Sequence, residues 1–341
     1  MRKPVIAAAV ALIVLVVGAL IAWPHLHTTV ATTTVPTTTT TVVHYPDAPL
    51  TGLSDPTGVS LKRPALTVKV ENTPEALPQW GIDQADVVYE EIVNGGITRL
   101  AAVFNSHAPA RVGPVRSVRP TDQQIVWPLG GIFAFSGGAP YAVQSISQAP
   151  VKLVDESSAG AAMFRDPTRY APHNLYADAT KVFALGATLG ATPVPPPALF
   201  TYRGTGRSAT GPVAAKFVVP FPSEYAVTWT WDTTTHGWDR TLFGQPIVTG
   251  TNVRVSPKNV IVMYVNYVNG VGTFTSYANL QGTGSALVFT DGHELHATWS
   301  HGTSKSSVIT YTNAAGQPIA LTPGQTWVEL LNTGVPLSVT P

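Results

Sequence analysis

Residues 86–105 read DVVYEEIVNGGITRLAAVFN, and this stretch decides the fold class. Two runs rich in β-branched and aromatic residues flank Asn94-Gly95-Gly96, a pattern typical of a β-hairpin. Successive side chains of a strand point to opposite faces, so Glu90 and Glu91 lie on different faces, each among apolar residues. The two carboxylates therefore cannot act as an acid–base pair. At least one of them enters a partly buried environment, where it needs a partner.

The second strand of the hairpin supplies a partner, Arg99. A two-residue loop at Asn94-Gly95 places Glu90 opposite Arg99, and a three-residue loop that includes Gly96 places Glu91 there. Only a Gly95-Gly96 loop leaves Arg99 with neither glutamate directly opposite. The sequence thus predicts a Glu–Arg pair across the hairpin, which is either a structural ion pair or part of a binding site.

Outward from the hairpin, the pattern divides the chain into two folded regions. Strand patterns at 64–72 and 131–137 alternate with helical patterns at 121–129, 141–149 and 177–189. A proline-rich break then separates them from β-rich segments punctuated by turn signals. We expect an α+β fold, with a mixed α/β N-terminal domain at 51–200 followed by a mainly antiparallel β C-terminal domain at 201–341.

The N-terminus predicts a membrane anchor. Nineteen uncharged residues, Val5–Trp23, follow Arg2 and Lys3, and a helix of that length spans about 28 Å, close to the thickness of a bilayer core. The flanking positive charges place residues 1–4 in the cytoplasm as a short tail. A cleaved signal peptide is the alternative, although the apolar run is longer than the usual apolar core of such peptides. We therefore predict a single-pass protein of the cell membrane with its bulk outside the cytoplasm.

Residues 24–50 are rich in threonine and carry little apolar periodicity. Such a tract cannot bury enough surface to offset the entropy of an ordered chain, so we predict a disordered stalk between the anchor and the folded part.

Composition excludes several classes of function. The chain has no cysteine, which excludes disulfides, thiolate metal sites and a lipid-modified cysteine. A net charge of +1 argues against a nucleic-acid partner. The sequence contains no GxSxG, HExxH or P-loop motif, and we identify no catalytic residue. No resident cofactor or metal is predicted. If chemistry occurs, Glu90, Glu91 or Asp122 are the carboxylates available for a divalent cation.

Arginines are concentrated in one part of the chain. Six of the twelve lie between residues 99 and 169, and RVGPVRSVRPTD (111–122) alone holds three. The guanidinium group is a planar fork suited to phosphate and carboxylate. The candidate ligand-binding residues are Arg99, Arg111, Arg116, Arg119, Arg165, Arg169, His173 and Asn174. The supporting carboxylates are Glu71, Glu90, Glu91 and Asp122.

Several of these segments resemble the YerB-like family of bacterial envelope proteins. They are RPALTVKVEN (63–72), ADVVYEEIVNGGITRLAAVFN (85–105), RVGPVRSVRPTD (111–122), FRDPTRYAPHNLY (164–176), NVIVMYVNY (259–267), GTGSALVFTDG (282–292) and PIALTPGQTWVELL (318–331). The resemblance covers most of residues 60–331. It implies an exported, surface-attached protein in two parts, each a domain of unknown function. Many members of the family look like lipoproteins, and the absence of cysteine is a departure from them.

Two functions fit these observations. In the first, the arginines bind an anionic envelope ligand, such as a phosphate, a pyrophosphate-linked intermediate or an acidic glycopolymer, for recognition or processing. In the second, the protein is a non-enzymatic scaffold for envelope proteins, and the arginines and glutamates form internal ion pairs. The two differ in whether the guanidinium groups converge on an opening or each end on a carboxylate.

Overall fold

The computed structural model describes residues 45–341, which form one compact unit. The predicted cytoplasmic tail (1–4), the anchor (5–23) and most of the stalk lie outside the described residues. Between residues 45 and 341 no helix has the length and apolarity needed to cross a membrane. The last residues of the predicted stalk belong to the folded part, because Asp47 forms a β-bridge with Ser54 and Leu50 is fully buried.

The N-terminal region is mixed α/β, as predicted. Its helix α3 (Ala179–Thr188) shows why the local sequence folds so: the carboxylate of Asp178 accepts the N–H of Lys181 at 3.2 Å, and Gly190 takes a positive φ just beyond the helix end. The helices are α1 Pro120–Val126, α2 Pro140–Ile146 and α3 Ala179–Thr188. The strands are β1 Leu66–Glu71, β2 Val87–Ile92, β3 Thr98–Phe104, β4 Gly131–Phe135, β5 Val151–Asp155, β6 Met163–Arg165 and β7 Leu175–Ala177. Single-turn 3-10 helices lie at Ser60–Lys62, Pro74–Ala76, Ile82–Gln84, Asn94–Gly96 and Gly160–Ala162.

The C-terminal region is mostly β, also as predicted, with alternating β-branched and aromatic residues in its longer strands. The strands are β8 Thr201–Tyr202, β9 Lys216–Val219, β10 Val227–Asp232, β11 Gly237–Leu242, β12 Gln245–Pro246, β13 Asn259–Val268, β14 Tyr277–Asn279, β15 Gly282–Thr290, β16 His293–His301, β17 Thr310–Thr312, β18 Ala320–Leu321, β19 Thr326–Asn332 and β20 Ser338–Thr340.

One large mixed sheet runs through both regions. Its order is β17-β16-β15-β13-β19-β2-β3-β1-β4-β5, and β14 pairs with β13 beside this path. Strand β19 joins the regions, because it pairs in parallel with β13 on one side and with β2 of the hairpin on the other. The predicted boundary near residue 200 therefore marks a change in composition along the chain, while the sheet continues across it.

Different elements cover the two faces of this sheet. A second sheet, β12-β11-β10-β9-β20, packs over the middle of one face, where Phe217 stacks on Phe289 and Trp229 meets Trp327 edge to face. Helix α3 covers the β4 end of that same face. Helices α1 and α2 cover the opposite face and enclose a separate apolar cluster that includes Phe133 of β4. The large sheet is thus the middle layer of three, and its buried charges must find partners within the protein.

Candidate functional site

A row of charged side chains crosses three adjacent strands on the face covered by α1. Arg99 of β3 pairs in register with Glu71 of β1 on one side and with Glu91 of β2 on the other. The hairpin loop is therefore the three-residue one, Asn94–Gly96, and the prediction that this loop places Glu91 opposite Arg99 is confirmed. All three charged residues are almost completely buried.

Among residues 45–341 no ion pair joins Arg99 to Glu90 or Glu91, and Glu91 is bound instead by Lys69 of β1, outside the hairpin. The Nζ atom of Lys69 donates to Glu91 Oε1 and also lies 2.7 Å from Asp122 Oδ1 at the start of α1. The four-carbon stem of lysine spans the intervening strand β3, where the register partner of Lys69 is the small Ala101, and so reaches the carboxylate on β2. One buried cation is thus shared by two buried carboxylates. Burial raises the pKa of Asp122 to about 6, although the charge of Lys69 opposes this rise.

Arg99 is consequently left without a carboxylate of its own. Its Nη1 donates to the carbonyl of Ser117 at 3.2 Å, and its Nε has no hydrogen-bond partner within residues 45–341. Burial, followed by the charges of Arg119 and Arg116, lowers the pKa of Arg99 to about 9. The guanidinium remains charged at neutral pH in surroundings that disfavour this charge, so an approaching anion would stabilise it.

Arg116 and Arg119 flank Arg99 nearer to solvent. The Nε of Arg116 lies 3.1 Å from Glu71 Oε1, and the other oxygen of Glu71 lies 2.9 Å from Nδ1 of His173. Arg119 donates to Asn94 Oδ1 at 3.0 Å and to the carbonyl of Val118 at 2.9 Å, and no described carboxylate pairs with it. Burial lowers the pKa of Arg119, and the charges of Glu91 and Asp122 oppose this shift.

We call Arg99, Arg116 and Arg119 the arginine cluster. Counting residues 45–341, this cluster and Lys69 place four cations beside the three carboxylates of Glu71, Glu91 and Asp122. Net positive charge therefore remains when every carboxylate is ionised, and it increases when Asp122 binds a proton.

The remaining predicted site residues have internal partners. Arg111 pairs with Asp166 and lies over the rings of Tyr176, at 3.9 Å from the ring centroid, and Trp80, at 4.2 Å. Its cation–π contacts fix it between two aromatic side chains. The arginine is therefore part of the packing between the 111–122 and 164–176 segments.

The 164–176 segment is held by its own polar side chains. Arg165 pairs with Glu156 at 2.5 Å and donates to Asn174 Oδ1 at 2.7 Å, while the amide of Asn174 donates to the carbonyls of Asp166 and Arg169. Arg169 donates to backbone carbonyls of residues 75–78 and to the hydroxyl of Tyr176. The structure thus brings only His173 of this segment to the arginine cluster, through Glu71.

Glu90 faces the other way, as the alternation predicted. Its carboxylate accepts from Asn72 at 3.0 Å and from Arg240 of β11 at 2.6 Å, and all three side chains are buried. Glu329 of β19 is its register partner and accepts from Trp229 Nε1 at 2.9 Å. Burial and then the charge of Glu90 raise the pKa of Glu329 well above its ordinary range, so the surroundings favour the protonated form of this side chain.

This division separates the carboxylates considered for a divalent cation. Glu90 lies on one face of the sheet, and Glu91 and Asp122 lie on the other, where both bind Lys69. Within residues 45–341 no group of three or more histidine, aspartate or glutamate side chains is arranged to hold a metal ion.

Sequence reasoning missed Lys69, Arg240 and Glu329. A signal existed for two of them. Lys69 shares a strand face with Glu71 in a strand that is otherwise mostly apolar, and Arg240 lies between Trp238 and Leu242 on one face of β11. Nothing near Glu329 in the sequence indicates that its neighbour is Glu90, because the parallel pairing of β19 with β2 joins residues more than two hundred positions apart.

The fold and this site define a class: an α+β protein built on one mixed sheet, with an arginine cluster on its helix-covered face. Residues 50–192 match the N-terminal domain, and residues 217–328 the C-terminal domain, of a family described as "Protein of unknown function (DUF3048)". The chain belongs to this family.

Two comparisons with individual proteins agree. The "Putative lipoprotein YerB" of Bacillus subtilis (strain 168) is 36% identical over 130 residues, which are 38% of this chain and 39% of the relative. That match spans about two fifths of the relative's length. The crystal structure of YerB protein from Bacillus subtilis has a TM-score of 0.74 at 23% identity, and the match covers 87% of this chain and 100% of that chain. The two proteins share their fold.

Proposed function

We propose that this protein is attached to a membrane, works in the cell envelope, and binds a phosphate- or pyrophosphate-bearing ligand through Arg99, Arg116 and Arg119. The attachment is supported by the apolar run at 5–23 and by the description of the relative YerB as a lipoprotein. Ligands of this kind that are carried on membrane lipids lie within reach of an attached protein.

The observation that carries the proposal is the state of Arg99. Its buried Nε has no partner among the residues that the structure describes, the pKa of the Arg99 side chain is lowered, and two further guanidiniums lie beside it. Among the described residues of the site, four cations outnumber three carboxylates by one, and this excess positive charge destabilises the folded protein unless another interaction offsets it. A phosphate group offers several acceptor oxygens to guanidinium forks and neutralises this repulsion.

The alternative function is that of a scaffold, and the arginines that form ion pairs with carboxylates favour it. Arg111, Arg116 and Arg165 each pair with an acid, at Asp166, Glu71 and Glu156 respectively. In that function the charged residues fix loops, and the protein presents a surface to other envelope proteins.

Titration calorimetry of the full chain with inorganic pyrophosphate distinguishes these functions. Arg119→Ala is expected to weaken pyrophosphate binding by at least about tenfold, because a charge-assisted hydrogen bond contributes roughly 1.5–3 kcal/mol. The Arg119 side chain is half-buried and hydrogen-bonds to Asn94 outside the apolar core. Removing this side chain therefore leaves the core intact.

Two matched variants serve as controls. Arg207→Ala removes one positive charge from an exposed loop, and Arg165→Ala removes an arginine that ends on Glu156. Both should bind pyrophosphate like the wild type. Absence of binding by the wild type, or an equal loss in all three variants, would contradict the anion site and favour the scaffold.

A further inference from the structure

A cavity of about 670 Å³ opens beside α1, between the N-terminal and the C-terminal family regions. Its aromatic walls are Trp127, Tyr141 and Tyr277, and amide and hydroxyl side chains make up most of the remainder. Among residues 45–341, no aspartate or glutamate lines it, and the one ammonium group that does, that of Lys305, lies 4.5 Å from the centroid of the Trp127 ring. The volume falls within the range of small-molecule sites.

Hydrogen bonds between the two regions hold the walls of the cavity in place. The N–H of Ala278 donates to Thr121 Oγ1 at 3.0 Å, and the N–H of Leu280 donates to Gln124 Oε1 at 2.8 Å. On the other side, the hydroxyl of Tyr141 donates to the carbonyl of Phe274 at 2.7 Å. The cavity is therefore formed before any ligand arrives, which reduces the entropic cost of binding.

Other polar groups in the cavity are left for a ligand. Gln123 uses its Nε2 to donate to the carbonyl of Ser145 at 2.8 Å, so its Oε1 remains an acceptor. Asn279 uses its Oδ1 to accept the N–H of Gln281 at 3.1 Å, so its Nδ2 remains a donor. Neutral donors and acceptors next to aromatic rings match a molecule with hydroxyl groups and apolar C–H faces.

We propose that this cavity binds an uncharged saccharide of about two rings. The C–H face of a pyranose packs on an aromatic ring, while its hydroxyl groups bond to the amides. A bound peptide strand requires a free sheet edge, and the N–H and carbonyl of Ala278 on β14 are already bonded to Thr121 Oγ1 and Gln124 Nε2. The proposal does not depend on the arginine cluster, because no arginine of the described part of the chain lines the cavity.

Titration of the full chain with cellobiose and with N,N′-diacetylchitobiose tests the proposal. At least one of the two disaccharides should quench tryptophan fluorescence in a saturable way. Trp127→Ala should weaken that binding at least about tenfold, whereas Tyr170→Ala, which removes an aromatic ring exposed outside the cavity, should leave it unchanged.

A second variant covers the case in which Trp127→Ala fails to fold. Thr303→Trp adds bulk at an exposed position on the cavity rim and should block the disaccharide without removing a packed residue. Arg119→Ala should retain disaccharide binding, so failure of this site and failure of the anion site are distinguishable. Binding of neither disaccharide, or binding that Thr303→Trp leaves unchanged, overturns the proposal.

Discussion

The consecutive glutamates of β2 show how single residues organise this protein. Glu91 turns to the α1 side and binds Lys69, and Glu90 turns to the second sheet and binds Arg240. Their opposite directions followed from the sequence, because strand alternation is a local property. Their partners did not, since Lys69 reaches across β3 and Arg240 comes from a strand 150 residues away. The arginine cluster results from this pairing, because Lys69 takes the carboxylate that Arg99 faces.

Glu329→Gln tests the buried acid next to Glu90. The raised pKa means that the native protein keeps a proton that the unfolded chain releases above its ordinary value of 4.5. The stabilisation that the folded state gains from binding this proton is therefore complete below about pH 4.5, and it is lost as the pH rises through the folded-state pKa. Glutamine is permanently uncharged, so the variant should match the wild type near pH 4.5 and exceed its free energy of unfolding by roughly 1 kcal/mol or more at pH 7.5.

Urea denaturation at several pH values measures this difference. Glu224→Gln is the matched control, because Glu224 is exposed and should show no such pH dependence. A constant difference between Glu329→Gln and the wild type across the pH range would mean that Glu329 does not keep its proton in the folded state.

Elements differ in how far the sequence predicts them. The hairpin, the three helices and the longer strands of the C-terminal region follow from periodicity, capping residues and turn residues, all of which are local. The insertion of β19 between β13 and β2 is not local, and no pattern in TWVELLN indicates which strands it joins. The predicted domain boundary therefore separates two regions of different composition. The sheet that connects these regions could be identified only from the structure.

Gly186 tests the contact between α3 and the large sheet. A Cβ added there would lie 2.1 Å from Ile132 Cδ1 of β4, so helix or side chain must move. We expect Gly186→Ala to lower the free energy of unfolding by about 1–3 kcal/mol in urea denaturation, in spite of the better helix propensity of alanine. Gly204→Ala, where an added Cβ meets no atom within 4 Å, should be close to neutral.

A double variant identifies the cause. Ile132→Val removes the nearest methyl group, so Gly186→Ala should cost less in that background than in the wild type. If Gly186→Ala lowers the free energy of unfolding equally in both backgrounds, the strain does not come from its contact with Ile132 Cδ1.

At the scale of the whole molecule, both proposed sites depend on how the chain is assembled. The arginines were predicted as one set of candidates, and the structure brings Arg99, Arg116 and Arg119 together while Arg111, Arg165 and Arg169 bond to partners elsewhere. The cavity beside α1 could not be predicted, because its walls come from segments more than a hundred residues apart in the sequence. The N-terminal and C-terminal family regions meet there, as they do at β19.

Cleavage between the two regions tests whether they fold together. Residues 204–207 are exposed, so a protease site inserted there can be cut without disturbing either sheet. Four register pairs between β2 and β19 and the buried pair of Arg240 with Glu90 cross between the regions. Removing one partner from a buried ion pair costs about 3–5 kcal/mol, so the regions should stay associated after cleavage.

The cut protein should therefore elute as a single species and unfold in one calorimetric transition. Residues 45–200 and 201–341 expressed separately should each lack a cooperative transition, because each exposes a strand edge and an unpartnered buried charge. Elution of two species after cleavage, or two transitions in the uncut protein, would instead show that each family region folds on its own. In that case the cavity would lie between two independent domains, and Thr303→Trp and Trp127→Ala would affect the stability of different transitions.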